Sequence, residues 1–386
     1  MPLETEKFII RPFEQNRKTT YFMETRYYII FASVIIGLQL FIFIFNRTLY
    51  WLFAEKISSR NKKYLALLTF GIPNLLWLVQ ALQLFATARV IAFVLALLLF
   101  SAFISFGIAT IHFFFRRTKF IAQIDRTLRL AYPFLLSGLI GLSVYNAYTP
   151  KVTHYDITFN KPMKSLRIGV ASDLHLGKFF GGKELDKLAQ IMNEQKVDLI
   201  LLPGDIMDDN VNAYLAENMR PHLEKLRAPL GVYATLGNHD FFGYQNEITE
   251  EIHRAGIFVL KDQIATINNE LVLIGRNDDL DKSRPTTAEL LKQADLNLPI
   301  IVLDHRPSEV EIHSSLPFDL QVSGHTHKGQ IFPANFITAL TYRIDYGLEK
   351  IGNPYFMVTS GYGFWGIPMR LGSQSEIVII DVKGNQ

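Results

Sequence analysis

Four stretches in the first 150 residues contain no Asp, Glu, Lys or Arg, and basic residues bracket each of them. They are 27–46 between Arg26 and Arg47, 64–88 between Lys63 and Arg89, 90–115 between Arg89 and Arg116, and 130–150 between Arg129 and Lys151. A membrane-spanning helix needs about 20 mostly apolar residues, so the pattern predicts four of them in an all-α bundle. The first stretch (YYIIFASVIIGLQLFIFIF) and the third are apolar almost throughout. The second carries Pro73, Asn74, Gln80 and Gln83, and the fourth carries Pro133, which a membrane helix tolerates where neighbours satisfy the freed carbonyl. The first apolar run begins only at Tyr27 and lacks a small-residue cleavage pattern, which argues against a cleaved signal peptide.

Beyond Pro150 the pattern changes period. Short β-rich runs recur at 165–172, 198–202, 231–236, 271–275, 299–303, 319–323, 355–359 and 376–382, each bounded by turn residues. Helical periodicity at 183–195, 212–227, 246–255 and 286–294 fills several of the gaps. The expectation is an α/β domain at 151–386 behind a membrane anchor at 1–150.

Charge sharpens that division. The formal net charge of +3 over 386 residues conceals two unlike halves. Residues 1–150 hold 16 Lys and Arg against 6 Asp and Glu, and the remainder holds 23 against 30. An acidic second half without a basic stripe speaks against nucleic acid as a partner. The first and third loops hold five basic residues each: Arg47, Lys56, Arg60, Lys62 and Lys63, then Arg116, Arg117, Lys119, Arg126 and Arg129. The opposite face matches those ten with Lys7, Arg11, Arg17, Lys18, Arg26, Arg89, Lys151, Lys161, Lys164 and Arg167. Counted over short loops, the balance places the loops inside and the C-terminal half outside, with a cytoplasmic C-terminal half as the alternative. No carboxylate or amine lies inside the stretches, so the spans read as an anchor rather than a transport path.

The chemistry lies just after the strands. Asp173-Leu174-His175 follows the first, Gly204-Asp205 through Asp208 the second, and Gly237-Asn238-His239-Asp240 the third. His305 follows the run at 299–303, and Gly324-His325-Thr326-His327 follows that at 319–323. Each piece alone passes for a cap or a turn. Five in succession, each at a strand end, point to ligands gathered at one sheet edge. Zero cysteine excludes disulfides, thiolate zinc sites and cysteine nucleophiles. Carboxylates and imidazoles without thiolate suit Mn, Fe, Zn, Co or Ni, and the donors are about enough for two ions sharing a carboxylate.

The series D-x-H, G-D-x-x-D, G-N-H-D, H and G-H-x-H over about 165–383 resembles the calcineurin-like metallophosphoesterase superfamily. Its tail, Gly361-Tyr362-Gly363 through Pro368-Met369-Arg370 and Glu376-Ile377, is similar to the bacterial branch near YkuE and YaeI, which has membrane-anchored relatives. The resemblance implies a four-layer α/β/β/α sandwich and hydrolysis of a phosphodiester or pyrophosphate by a metal-activated water. It implies one divalent ion on Asp173, His175, Asp205 and His327, and a second on Asp205, Asn238, His305 and His325. His239 then stands beside the phosphate as a catalytic residue, Asp240 orients it, and Asp208 is an outer acidic residue. Lys328 stands where relatives commonly have glycine, and Arg306 follows His305; either is a phosphate contact or a surface or ion-paired residue.

Aromatics follow the motifs at Phe179-Phe180, Phe241-Phe242, Tyr244 and Tyr362 through Trp365. They form either an apolar wall beside the site or ordinary core. As a wall, they suggest membrane lipid as a partner and a lipid-linked phosphate ester as substrate. One branch of the family cleaves UDP-diacylglucosamine, a reaction that requires a cytoplasmic site. The alternative to an enzyme is a non-catalytic membrane receptor or scaffold retaining the fold; a broken ligand set would favour it, and none is broken.

Overall fold

The computed structural model describes residues 16–54 and 57–385. Of the charges counted above, Lys7, Arg11 and Lys56 lie outside the described residues. The chain divides into two compact units, Met1–Gly138 and Leu139–Gln386.

The first unit is helical: α1 (Asn16–Leu52), α2 (Ser59–Ala81), α3 (Ala88–Phe115) and α4 (Ile121–Tyr148), whose last ten residues belong to the second unit. All four are long and apolar enough to cross a membrane. Their boundaries differ from the charge-free stretches. Helix α2 stops at Ala81, where Leu82 caps it and Gln83 turns left-handed. Helix α4 begins nine residues before the stretch at 130, and its added turns carry Asp125 paired with Arg129 at 2.8 Å one turn on. The indole of Trp51 donates to the same carboxylate, and His112 lies 3.2 Å from it. Small polar pairs link the spans, among them Asn46 to Thr69, Thr48 to Ser105 and Ser101 to Tyr132. Such pairs hold helices together where lipid removes the hydrophobic drive.

The second unit holds two six-stranded sheets. In chain order its elements are β1 (Lys151–Phe159), β2 (Leu166–Val170), α5 (Gly182–Glu194), β3 (Leu199–Pro203), α6 (Asn212–Ala216), α7 (Arg220–Leu223), β4 (Val232–Thr235), α8 (Gln245–Arg254) and β5 (Phe258–Val259). Then come β6 (Gln263–Ile267), β7 (Leu271–Gly275), α9 (Thr287–Leu291), β8 (Ile300–Leu303), α10 (Val310–His313), β9 (Leu320–Ser323), α11 (Ala334–Thr341), β10 (Gly347–Lys350), β11 (Tyr355–Val358) and β12 (Glu376–Gly384). The first sheet runs β1-β12-β2-β3-β4-β5 and the second β10-β11-β9-β8-β7-β6.

Side-chain alternation builds four layers from these sheets. On β3, Leu199 and Leu201 face the second sheet, and Ile200 and Leu202 face away. On β8, Ile301 and Leu303 meet the first sheet from the other side, while Ile300 and Val302 face out. Helices α5 and α8 cover the outer face of the first sheet through Leu185, Leu188, Ile248 and Ile252. Helices α9 and α10 cover the second through Leu290, Leu291 and Val310. The result is the α/β/β/α sandwich. Strands β2, β3 and β4 run parallel to one another in the first sheet, as do β8, β9 and β11 in the second, so the carboxyl ends of each set reach one edge of its sheet.

Ile380, fully buried between the sheets on β12, tests this packing. Ile380→Ala should cost about 3 kcal/mol of unfolding free energy in detergent-solubilised full-length chain. A loss of about 0.5 kcal/mol, typical of surface substitutions, would contradict its placement.

Candidate metal centre

Every residue singled out in the motifs sits just past the carboxyl end of a strand. Asp173 and His175 follow β2, Asp205 and Asp208 follow β3, and Asn238, His239 and Asp240 follow β4. His305 follows β8, and His325 and His327 follow β9. Five of them turn inward by adopting left-handed backbone: Asp173 (φ 55°), His175 (45°), Asp205 (51°), His325 (70°) and His327 (48°). Sparsely populated conformations of this kind cost of order 1–3 kcal/mol each and persist where the surroundings over-determine them. Two motif glycines make room for the result. A Cβ on Gly237 would collide with the Asp205 carboxylate, and one on Gly324 with Ser172 and Asp173.

The donors gather in two groups. Asp173, His175 and His327 offer ligand atoms within 4.8 Å of one another, and so do Asp205, His305 and His325. Nε2 of His175 lies 3.2 Å from Nε2 of His327, which is 3.4 Å from Asp173 Oδ1. Asp205 joins the groups, its Oδ2 standing 3.1 Å from His305 Nε2 and 3.7 Å from His175 Nε2. Backbone amides hold both carboxylates. His325 N–H donates to Asp173, and His239 N–H donates to Asp205 Oδ1 at 2.8 Å. The Nδ1–H of His305 donates to the Pro203 carbonyl at 2.9 Å, which aims Nε2 at the cluster.

The electrostatics describe a place short of positive charge. Burial alone would push both carboxyls up; His327 beside Asp173 and His305 beside Asp205 reverse this and hold them well below the usual carboxylate range. Burial opposes charge on His305, yet Asp205 and Asp173 push it up to about 10. Burial holds His175 and His325 down at about 3 and lowers His327, leaving neutral rings of the form that ligates metal.

His239 borders the same cleft as Asp205, Asn238 and His325. Its partner is not Asp240. The Asp240 carboxylate is fully buried and accepts from the amides of Ile206, Met207 and Gly237, tying two motif loops together. Three aligned amides outcompete a single imidazole for that carboxylate. Asp209 orients the histidine instead, with Oδ1 2.5 Å from Nδ1. Burial disfavours charge on His239, but the Asp209 bond and the nearby Asp205 and Asp208 outweigh it and raise its pKa. The sequence shows two successive acids at 208 and 209 and nothing to say which one meets the ring. Asp208 approaches His175 from behind, 3.9 Å from Nδ1.

The aromatic runs divide between wall and core. Phe180, Tyr362 and Phe364 are buried in the core beneath α5, whereas Phe242 and Trp365 are exposed with rings 5.4 and 6.1 Å from that of His239. Arg306 is committed to Asp278 in a two-pronged pair at 2.7 and 2.9 Å, and Lys328 lies over the Tyr346 ring at 4.0 Å. Arg370 had no role from the sequence. Its buried guanidinium donates to Gly361 and Gly363 carbonyls and lies 3.0 Å from His327 Nδ1, bracing that ring.

The family model for calcineurin-like phosphoesterases matches residues 166–329. An uncharacterized metallophosphoesterase of Aquifex aeolicus is 34% identical over 64% of this chain and 98% of its own length. The chain belongs to the calcineurin-like phosphoesterases. It is also similar to the uncharacterized metallophosphoesterase YkuE of Bacillus subtilis, at 30% identity over 55% of this chain and 77% of that one. A transmembrane protein with metallophosphoesterase domain of Danio rerio is 30% identical over 63% and 60%. Together with four apolar helices, this makes the chain a membrane-bound, metal-dependent phosphoester hydrolase.

The residues fit the divalent cations that such phosphoesterases use. Asn238 Oδ1 is buried at the cluster without a hydrogen-bond partner among the described residues, and buried polar atoms are rarely left so. EDTA should therefore lower the thermal midpoint of the full-length protein and Mn²⁺ restore it. Linkage gives about 4 kcal/mol at a thousand times Kd. Asp205→Asn should lose the response. A wild-type midpoint indifferent to EDTA would contradict the need for cations.

Proposed function

We propose that residues 1–150 anchor, and residues 151–386 catalyse, a dinuclear phosphoesterase reaction on a phosphodiester or pyrophosphate bond. Asp173, His175, Asp205 and His327 would hold one cation, and Asp205, Asn238, His305 and His325 the other. The observation that carries this reading is the double use of Asp205, whose Oδ2 faces a histidine of each group. Divalent cations bound there supply charge that polarises a phosphoryl group and lowers the pKa of water.

The protein's own groups do the rest. Asp209 fixes His239 through Nδ1, leaving Nε2 as the ring nitrogen that carries a proton toward a leaving oxygen. The pairing with Asp209 favours the protonated ring that this task requires. Arg370 and the Pro203 carbonyl hold His327 and His305 in orientation. Phe242 and Trp365 give the cleft an apolar border, which favours a lipid-linked substrate over a free nucleotide. On the short-loop charge count the catalytic unit is extracytoplasmic, which a reporter fused after Gln386 would test.

With Mn²⁺ and bis-p-nitrophenyl phosphate, His239→Ala should lower kcat by about 10²–10⁴, and Asp205→Asn should abolish turnover. Asp209→Asn leaves the imidazole in place and should reduce kcat only roughly tenfold, less than the loss of the proton-transfer group itself, with KM unchanged. Equal rates in wild type, Asp205→Asn and His239→Ala would instead support the non-catalytic scaffold.

A further inference from the structure

Residues 331–341 (IFPANFITALT) contain no charged side chain. They include α11, and no residue of that helix is buried. Phe336, Ile337 and Leu340 are 59, 66 and 88% exposed, and none belongs to the three hydrophobic clusters that make up the sandwich. A helix on a water-soluble domain turns such side chains inward. Here they remain outside, beside the cation site. Ala334, Ile337 and Thr338 wall the cleft that His325 and His327 also line.

The hydrogen bonds of the second unit lead from this helix to the last span. Phe332 N–H donates to Leu371 at 2.7 Å, and Arg370, the residue before, donates its own N–H to Ser143 at 2.8 Å. Asn146 returns a bond to the Arg370 carbonyl. Ser143 lies five residues before the end of α4, roughly 8 Å along a helix axis rising 1.5 Å per residue. Gln330 ties the same stretch to Trp365, exchanging bonds of 2.9 Å with its backbone, and leaves that indole 58% exposed. The apolar helix and the indole are thus braced against the final turns of a membrane-spanning segment.

We infer that α11 and Trp365 rest in the interfacial zone of the bilayer beside α4, so that the metal cleft opens at phospholipid headgroup level. An in-plane helix buries its apolar side chains at the headgroup boundary, and tryptophan favours the same depth. The occupant of this surface is lipid, and the contact does not depend on what the metal centre hydrolyses.

The chain has no cysteine, so one introduced thiol labels one place. Leu340→Cys and, as a control at the exposed β6–β7 turn, Asn269→Cys are labelled with an environment-sensitive fluorophore. The full-length protein is reconstituted in phosphatidylcholine–phosphatidylglycerol vesicles, with and without shallow doxyl-labelled lipid. The label at 340 should be quenched several-fold more than that at 269, and Phe336→Cys should follow 340. Equal quenching at 340 and 269 would overturn the contact. So would a label at 340 that lipid leaves unquenched but that self-quenches between copies, since the surface would then be a protein interface.

Discussion

Asp173 and Asp205 are carboxylates with almost no contact with water, facing histidines within one cluster. Two buried negative charges so placed repel one another and forfeit hydration, and a fold tolerates them only where positive charge is supplied. The imidazole of His305 supplies part of it. His305 carries a proton to unusually high pH, the response of a site whose charge balance is otherwise unmet. A divalent cation meets the same demand with more charge and with the geometry the ligands offer.

Much of the second unit serves this cluster. Parallel strands from two sheets end at the same edge, so short loops deliver ligands 152 residues apart, such as His175 and His327, to adjacent positions. Left-handed backbone at five ligands and glycines that admit no Cβ keep the loops tight. Asp240, buried against three amides, fastens the loop after β3 to the loop after β4. The strain and the buried charge are local, and the layers beneath hold their apolar contacts without exception at this edge's supporting strands β3 and β8.

How far the sequence carried can be judged strand by strand. The eight runs read as strands are all present, and the four unread, β1, β5, β6 and β10, are the four sheet edges. An edge strand is open on one side and mixes polar with apolar residues, as in KVTHYDITF and GLEK, so no apolar run marks it. The motif residues were legible because each follows a central strand. The partner of His239 was not, since Asp209 and Asp240 lie equally near it in type and only the fold shows which carboxylate the amides claim. Arg370 and α11 were opaque for another reason: their meaning depends on contacts across about 40 residues, from Arg370 to His327 and from Phe332 to Leu371.

The membrane helices and the acidic, ligand-rich unit follow from one division of charge along the chain, and the catalytic account turns on one carboxylate. The most direct measurement is metal content per chain, by mass spectrometry on purified full-length protein after dialysis against Mn²⁺. A shared Asp205 predicts two ions per chain in the wild type and a loss at both positions in Asp205→Asn. Two ions retained in Asp205→Asn, or a wild type that binds only one, would contradict it.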